Sequence, residues 1–307
     1  MRNILVLGGA GYIGTELCNH LSKNFKVFCY DTFWFGNYLN KKVKKINGDI
    51  RKIDSKLFKN KDVVICLAYL SNDPSCEVDA RQTWEIGPLS LNSILNLAVK
   101  NKIKKVIFAS SGSIYGIKKE KRVTENLDLY PLTDYNKSKM ICEKVLESFK
   151  DKIKIVSIRP ATVCGFSKRL RLDVVLNLFC YQAYFKKKII VTGGKQIRPL
   201  IHIKDMVRCY EFFIKKNLVG VYNLGTENKT ILNLARNVQK LIPCSLKIVK
   251  TNDPRSYRLD STKLLRTGFK IKYNSDDAIK DLKFAFKKFK PSTKNWNLKW
   301  LEKKRII

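Results

Sequence analysis

Short apolar runs alternate with longer amphipathic stretches through the first half of the chain. Continuous apolar, β-branched runs without polar alternation predict strands that are buried on both faces. Helical spacing of apolar residues predicts helices at 12–24, at about 79–100 and from Tyr135 onward. This repetition predicts an α/β protein with an open parallel sheet and right-handed crossovers. The predicted strands lie at 3–8, 26–31, 44–49, 62–68, 104–111 and 153–161.

The alternation weakens after Pro160, and the pattern from there to the end is mostly helical and lysine-rich, with one further strand at 220–226. No repeat or low-complexity linker separates the two halves. We therefore expect a Rossmann-type, doubly wound domain at 1–163, with a returning strand near 220–226. A smaller, mostly helical lobe is expected at 164–307.

Composition narrows the class of protein. Hydrophobic residues make up 45% of the 307 residues, which is typical of a globular chain. No apolar run approaches the roughly 20 residues of a membrane helix, so no membrane contact is expected. The N-terminus lacks the features of a secretory signal. The nine cysteines have no metal-ligand spacing, which favours reduced thiols, a cytoplasmic location and no metal site.

The charge raises the question of a nucleic-acid partner, because Lys and Arg exceed Asp and Glu by 61 to 26, a net charge of +35. The excess is mostly lysine and is spread along the whole chain. Codon bias in an AT-rich genome accounts for such a distribution without selection for binding. An RNA-binding protein therefore stays an alternative, and the charge also suits anionic substrates.

The first turn predicts a dinucleotide site. Gly8, Gly11 and Gly14 follow a strand and open a helix, so pyrophosphate can approach the backbone amides and the helix N-terminus. Asp31 ends the second predicted strand. A carboxylate there can bind both ribose hydroxyls and would repel a 2′-phosphate, which favours NAD over NADP. Asp49 and Ile50, after the third strand, are candidates to flank the adenine.

The sequence contains three further motifs besides the glycine turn: "SSGSIYG" at 110–116, Tyr135 and Lys139 in Y-x-x-x-K spacing, and "RPATVCG" at 159–165. Together they resemble the extended short-chain dehydrogenase/reductase family, within it the NAD-dependent sugar-nucleotide epimerase/dehydratase group. The resemblance implies that Tyr135, Lys139 and Ser111 are catalytic. It also implies NAD as cofactor. The residues expected to bind it are Gly8, Gly11, Tyr12, Ile13, Gly14, Asp31, Asp49, Ile50, Leu67, Ala68, Tyr135, Lys139 and Val163.

A physical reason supports the tyrosine–lysine pair. A free tyrosine has a pKa of about 10 and is a poor base at neutral pH. Lys139 lies four residues after Tyr135, on the same face of a predicted helix. Its ammonium group and a positive nicotinamide are therefore expected to lower the pKa of Tyr135. Tyr135 would then take a proton from a sugar hydroxyl that Ser111 holds.

Two departures from the family pattern narrow the reaction. Dehydratases of this family carry an Asp–Glu pair after the Ser/Thr, where this chain has Gly112 and Ser113. Neither can act as acid or base, so 4,6-dehydration is not expected. Many members have Asn in the helix after the fourth strand, where this chain has Gly87. A proton relay through that Asn is not expected here.

A nucleotide-diphosphate sugar is the implied substrate, since arginine forks suit a diphosphate. Arg169 lies in the same predicted substrate loop as Arg171 and Asn177. The leading hypothesis is a nucleotide-sugar 4-epimerase, and a 4-dehydrogenase that releases the 4-keto sugar is the alternative. A homodimer is implied through helices at about 79–100 and 135–149. The expected substrate residues are Ser111, Ser113, Arg171, Asn177, Arg198 and Arg255.

Overall fold

Strands and helices alternate in the computed structural model, which describes residues 1–71, 73–250 and 256–306. None of the helices in these residues is long and apolar enough to cross a membrane. The strands are β1 (Asn3–Leu7), β2 (Lys26–Asp31), β3 (Lys44–Asn47), β4 (Val63–Cys66), β5 (Lys105–Ala109), β6 (Lys154–Pro160), β7 (Thr162–Cys164), β8 (Lys188–Thr192), β9 (Ile197–His202), β10 (Gly220–Leu224), β11 (Glu227–Thr230) and β12 (Ser245–Val249). The α-helices are α1 (Tyr12–Leu21), α2 (Asp73–Val78), α3 (Ala80–Trp84), α4 (Ser90–Lys100), α5 (Asp134–Glu147), α6 (Val175–Lys186), α7 (Ile203–Lys215), α8 (Ile231–Leu241), α9 (Thr262–Arg266), α10 (Ser275–Ala285) and α11 (Asn297–Lys303).

The predicted parallel sheet is confirmed. Its strand order is β10-β6-β5-β4-β1-β2-β3, and every neighbouring pair is parallel. The chain builds outward from β1 to β3 and then returns to β4 on the other side of β1. Ligands of such sheets bind in the crevice at this switch point, at the carboxyl ends of the strands.

Burial on both faces explains why the strands are continuous apolar runs. Ile4 and Val6 of β1 belong to the core cluster on one side of the sheet, which includes Leu17 of α1. Leu5 and Leu7 point the other way and belong to the cluster that includes residues of α4 and α5. All four β1 side chains are fully buried. A strand with no solvent face has no place for polar alternation.

The second lobe contains more strand than the sequence pattern predicts. Three short strands form a sheet in the order β11-β9-β7, and β12 pairs with β8. The helices α6, α8 and α10 contribute to one apolar cluster beside them. The sequence pattern does not predict these strands because they are short and carry polar residues, as in Glu227–Thr230.

The predicted helix at 79–100 is broken. The α-helical parts are α3 and α4, and the turn between them, Glu85–Leu89, is wider than an α-helix. Gly87 has a ψ of −107°, outside the helical region. Pro88 follows it and cannot donate a backbone hydrogen bond. The Gly87–Pro88 pair is therefore the sequence signal for this break.

Candidate active site

A cavity of about 820 Å³ lies over the carboxyl ends of β1, β4 and β5 and extends to residues of the second lobe. Its place at the switch point agrees with where doubly wound sheets bind ligands. The structure brings most of the predicted site residues together on its walls. Those that line it are Gly8, Gly11, Tyr12, Ile13, Gly14, Asp31, Asp49, Ile50, Leu67, Ala68, Ser111, Ser113, Tyr135, Lys139, Val163, Arg171 and Arg198.

The glycine turn leaves no room for side chains. Gly8 has a φ of +83°, and a Cβ added there would lie 2.3 Å from the Ala68 backbone nitrogen. A Cβ on Gly14 would lie 2.3 Å from the Gly8 carbonyl oxygen. Among the described residues, no side chain caps the N-terminus of α1 at Gly11. Its first N–H groups are therefore available to an anion, and the turn fits a dinucleotide pyrophosphate.

Asp31 is held at the end of β2 by backbone amides. Its carboxylate accepts hydrogen bonds from Ala10 N at 2.9 Å and from Phe33 N at 2.8 Å. Burial raises the pKa of Asp31 despite these bonds. Asp49 lies on the same side of the cavity and is paired with Arg51 at 2.6 Å. The two carboxylates flank the part of the cavity where the sequence places the adenosine.

Ser111, Tyr135 and Lys139 come together from two elements. Ser111 follows β5, and Tyr135 and Lys139 share one face of α5, whose first turn is capped by Thr133. Ser111 and Tyr135 line the same cavity, and the Ser111 side chain acts to lower the pKa of the Tyr135 phenol. Lys139 Nζ donates to the Ala109 carbonyl oxygen at 2.7 Å and lies 5.9 Å from the centre of the Tyr135 ring.

The surroundings that the protein itself provides act against the expected lowering of the Tyr135 pKa. Burial, followed by the charge of Asp73, raises the pKa of Tyr135, and the Ser111 side chain opposes this only in part. Burial also lowers the pKa of Lys139 to about 8. Removal from water thus outweighs the i, i+4 pairing that the sequence suggests. The phenol is protonated at neutral pH in this state.

Tyr69 is a neighbour of Lys139 that the sequence pattern did not predict. Lys139 Nζ lies 3.5 Å from the centre of the Tyr69 ring, a cation–π contact inside the protein. The Tyr69 hydroxyl bonds Ser138 Oγ at 2.6 Å. A Cβ on Gly87 would lie 2.5 Å from that hydroxyl. The unusual Gly87 therefore makes room for Tyr69, and it is the sequence signal that could have led to this residue.

Ser113 extends the hydroxyl network behind Ser111. The two Oγ atoms are 2.7 Å apart, and Ser113 also donates to the Asn136 side-chain carbonyl. Asn136 is buried beside Tyr135, and its Nδ2 has no hydrogen-bond partner among the described residues. The groups that continue this network from Ser111 are therefore the Ser113 hydroxyl and the Asn136 amide instead of carboxylates.

The predicted substrate residues have three different outcomes. Arg171 lines the cavity and pairs with Asp173 at 2.7 Å, and Arg198 lines it as well. Asn177 is fully buried, and its amide bonds Tyr12, the Gly165 backbone and the Arg171 carbonyl. The prediction that Asn177 contacts substrate is therefore wrong, because the protein itself uses its hydrogen-bonding groups. Arg255 lies outside the described residues.

The fold and this cavity are those of a Rossmann-type enzyme that works with a bound dinucleotide. Comparison with known proteins gives the family: the chain belongs to the NAD dependent epimerase/dehydratase family, whose pattern matches residues 4–225. The chain is thus an enzyme of the extended short-chain dehydrogenase/reductase class, and NAD is its cofactor. The predicted family and cofactor are confirmed.

Relatives agree with this assignment. The chain is 28% identical to UDP-glucose 4-epimerase of Lactobacillus helveticus, over 90% of this chain and 94% of the relative. It is 30% identical to a putative UDP-glucose 4-epimerase of Methanocaldococcus jannaschii, over 75% and 79% of the two chains. It is similar to a solved structure of UDP-glucuronic acid 4-epimerase from Bacillus cereus in complex with UDP-glucuronic acid and NAD. That match has a TM-score of 0.84 and 26% identity, and it covers 93% of this chain and 99% of the other.

Proposed function

We propose that the enzyme interconverts nucleotide-diphosphate sugars that differ in configuration at carbon 4, through a transient 4-keto sugar. The observation that carries this proposal is the placement of Ser111 and Tyr135 on the wall of one cavity, where the Ser111 side chain also acts to lower the pKa of the Tyr135 phenol. It provides two groups that can hold and deprotonate one sugar hydroxyl. Relatives named as UDP-glucose and UDP-glucuronic acid 4-epimerases support the same reaction.

The residues of this chain would divide the chemistry as follows. NAD, when bound, supplies a hydride acceptor and a positive charge. Ser111 would hold the 4-hydroxyl oxygen, and the Tyr135 phenolate would accept its proton. Tyr135 would return this proton to the same oxygen after the 4-keto sugar has turned in the cavity. Because the proton is returned and the hydride acceptor is reversible, the reaction would have no net oxidation.

The surroundings of Tyr135 favour epimerisation over loss of water. The positions after Ser111 are Gly112 and Ser113, and Ser113 is engaged with Asn136. Neither position supplies the carboxyl pair that the family resemblance implies for dehydratases. Arg171 and Arg198, on the second-lobe side of the cavity, suit the diphosphate of the substrate.

The test is conversion of purified protein with UDP-glucose, UDP-glucuronic acid and UDP-N-acetylglucosamine, with products separated by anion-exchange chromatography. We expect one of these substrates and its 4-epimer to reach the same equilibrium mixture from either side. Absorbance at about 340 nm should show no lasting rise. A lasting rise with release of a 4-keto sugar would instead identify a 4-dehydrogenase. Absence of turnover with every sugar would remove support for both reactions.

A further inference from the structure

Arg169 is a buried cation on the cavity wall. Only 3% of the residue is exposed, and its Cζ lies 3.8 Å from the centre of the Phe35 ring. Nη2 donates to Asn297 Oδ1 at 2.6 Å, whereas Nε and Nη1 have no hydrogen-bond partner among the described residues. A guanidinium stays charged, and burying it with open donors is costly. The fold thus keeps two charged donors beside the cavity.

The contacts of Arg169 and of the segment before it place Arg169 near the glycine turn. Phe35, against which the guanidinium packs, lies in the loop that follows β2 and its last residue, Asp31. The charges of Arg169 and Asp31 act on each other. The segment before Arg169 is fixed to the start of α1, because Ser167 Oγ donates to the Tyr12 carbonyl oxygen at 3.1 Å.

Arg171 has a different position and is already paired. Its Nε donates to Asp173 at 2.7 Å, and its charge acts on Tyr135, at the reacting end of the cavity. The charges of Arg169 and Arg171 also act on each other, and this effect on Arg169 is larger than that of Asp31. Of the two, only Arg171 is paired with Asp173 in a salt bridge, and it acts on Tyr135. Arg169 instead acts on Asp31.

We propose that Arg169 binds the pyrophosphate of NAD and completes the anion site that begins with the N–H groups of α1. Pyrophosphate oxygens offer the acceptors and the negative charge that the two open guanidinium donors fit. In NAD this group links the adenosine, which Asp31 is expected to hold, to the nicotinamide half. The proposal corrects the sequence-based assignment of Arg169 to the nucleotide sugar. It depends on NAD as cofactor and not on which sugar is epimerised.

The test measures ligand affinity by calorimetry on the full chain after bound nucleotide has been exchanged out. The probes are NAD, ADP-ribose, adenosine and UDP. Arg169→Met should weaken NAD and ADP-ribose by about tenfold to a hundredfold, because charge-assisted hydrogen bonds are lost. The affinities of this variant for adenosine and UDP should equal those of the wild type. Arg169→Lys, which keeps the charge without the fork, should give an intermediate loss.

Lys168→Met is the matched control, since it removes the same charge from an exposed neighbour. It should leave all four affinities within about twofold of the wild type. The melting temperature of nucleotide-free Arg169→Met should not fall, because the variant removes an unpaired buried charge. Unchanged ADP-ribose affinity in Arg169→Met, or a loss confined to UDP, would overturn the proposal. Loss of ADP-ribose affinity in an enzyme that converts no sugar would support it while the proposed reaction fails.

Discussion

At the residue scale, burial sets the proton affinities around Tyr135. Burial raises the pKa of the phenol, and the Ser111 side chain opposes this only in part. The same burial lowers the pKa of Lys139 to about 8, although the ammonium lies against Tyr69 and donates to Ala109. Burial thus disfavours the charged form of both groups. A positively charged cofactor beside the phenol would shift Tyr135 toward phenolate.

Replacement of Tyr135 by Phe tests the proposed base. The ring and its packing remain, so the melting temperature and NAD affinity should stay close to the wild type. Loss of the ionisable oxygen should reduce turnover by about 10²- to 10⁴-fold. Tyr130→Phe, at an exposed tyrosine, is the control and should keep full activity. Near-normal turnover of Tyr135→Phe would remove Tyr135 from the mechanism.

The lowered pKa of Lys139 should appear in stability. Between pH 8 and 10.5 the folded chain binds fewer protons at Lys139 than the unfolded chain. Stability therefore rises with pH through this window and is lowest below it. The unfolding free energy of nucleotide-free wild type, relative to Lys139→Met, should increase from about pH 8 to about pH 10 in urea titrations. Lys137→Met, exposed on the same helix, should not reproduce this slope, and a flat difference for Lys139→Met would contradict the prediction.

At the element scale, the broken helix between α3 and α4 shapes the site. Gly87 departs from helical geometry, and the space beside it holds the hydroxyl of Tyr69. Tyr69 in turn lies under Lys139 on α5 and bonds Ser138 of the same helix. The turn thus fixes an aromatic ring between two elements, and that ring lies against the ammonium group of Lys139.

A double-mutant cycle can measure the energetic coupling between Gly87 and Tyr69. Gly87→Ala should destabilise the protein by about 1–3 kcal/mol, because the added Cβ meets the Tyr69 hydroxyl. Tyr69→Phe alone should cost about 1 kcal/mol through the lost bond to Ser138. Together they should cost less than the sum, since the Phe variant lacks the clashing oxygen. Asn92→Ala, exposed on α4, should stay within about 0.5 kcal/mol of the wild type. Additive effects in chemical denaturation would show that the two positions are independent.

At the scale of the whole molecule, the C-terminal segment returns to the nucleotide side of the cavity. Trp300 Nε1 donates to the Trp34 carbonyl oxygen at 2.7 Å, and Leu301 lines the cavity. Asn297 links Arg169 to Ser71, which follows β4. Residues from both ends of the chain therefore enclose one site, although the parallel sheet belongs mainly to the first half.

We propose that the enzyme forms a homodimer through the outer faces of α4 and α5. Leu89, before α4, is 64% exposed, and Ile141 and Val145 of α5 are partly exposed. Leu146 and Phe149, two further apolar residues of this segment, pack in the core of the chain itself and cannot face a partner. Of these residues, only Leu89, Ile141 and Val145 are therefore available to a second copy.

Sedimentation at micromolar protein concentration tests the dimer. The wild type should sediment as a dimer, and Leu89→Glu should shift it toward monomer by placing a charge in an apolar interface. Leu265→Glu changes an exposed leucine on α9 and should leave the mass unchanged. A monomeric wild type would contradict the proposal.

The sequence by itself determined the features that depend on neighbouring residues. Burial on both faces requires continuous apolar runs, so the strands of the parallel sheet could be predicted. The glycine turn at Gly8 and the spacing of Tyr135 and Lys139 are local as well, because a tight turn and one helical turn span only a few residues. These patterns were sufficient to predict the fold and the cofactor.

Only the tertiary structure decided what each side chain meets across the fold. The pKa of Tyr135 depends on burial by distant segments, which reverses the effect expected from Lys139 alone. Asn177 bonds Tyr12, 165 residues away, and so is lost to substrate, whereas Arg169 retains open donors at the cavity. The physical reason is that desolvation and hydrogen-bond partners arise from contacts between segments far apart in the chain, which no local pattern encodes.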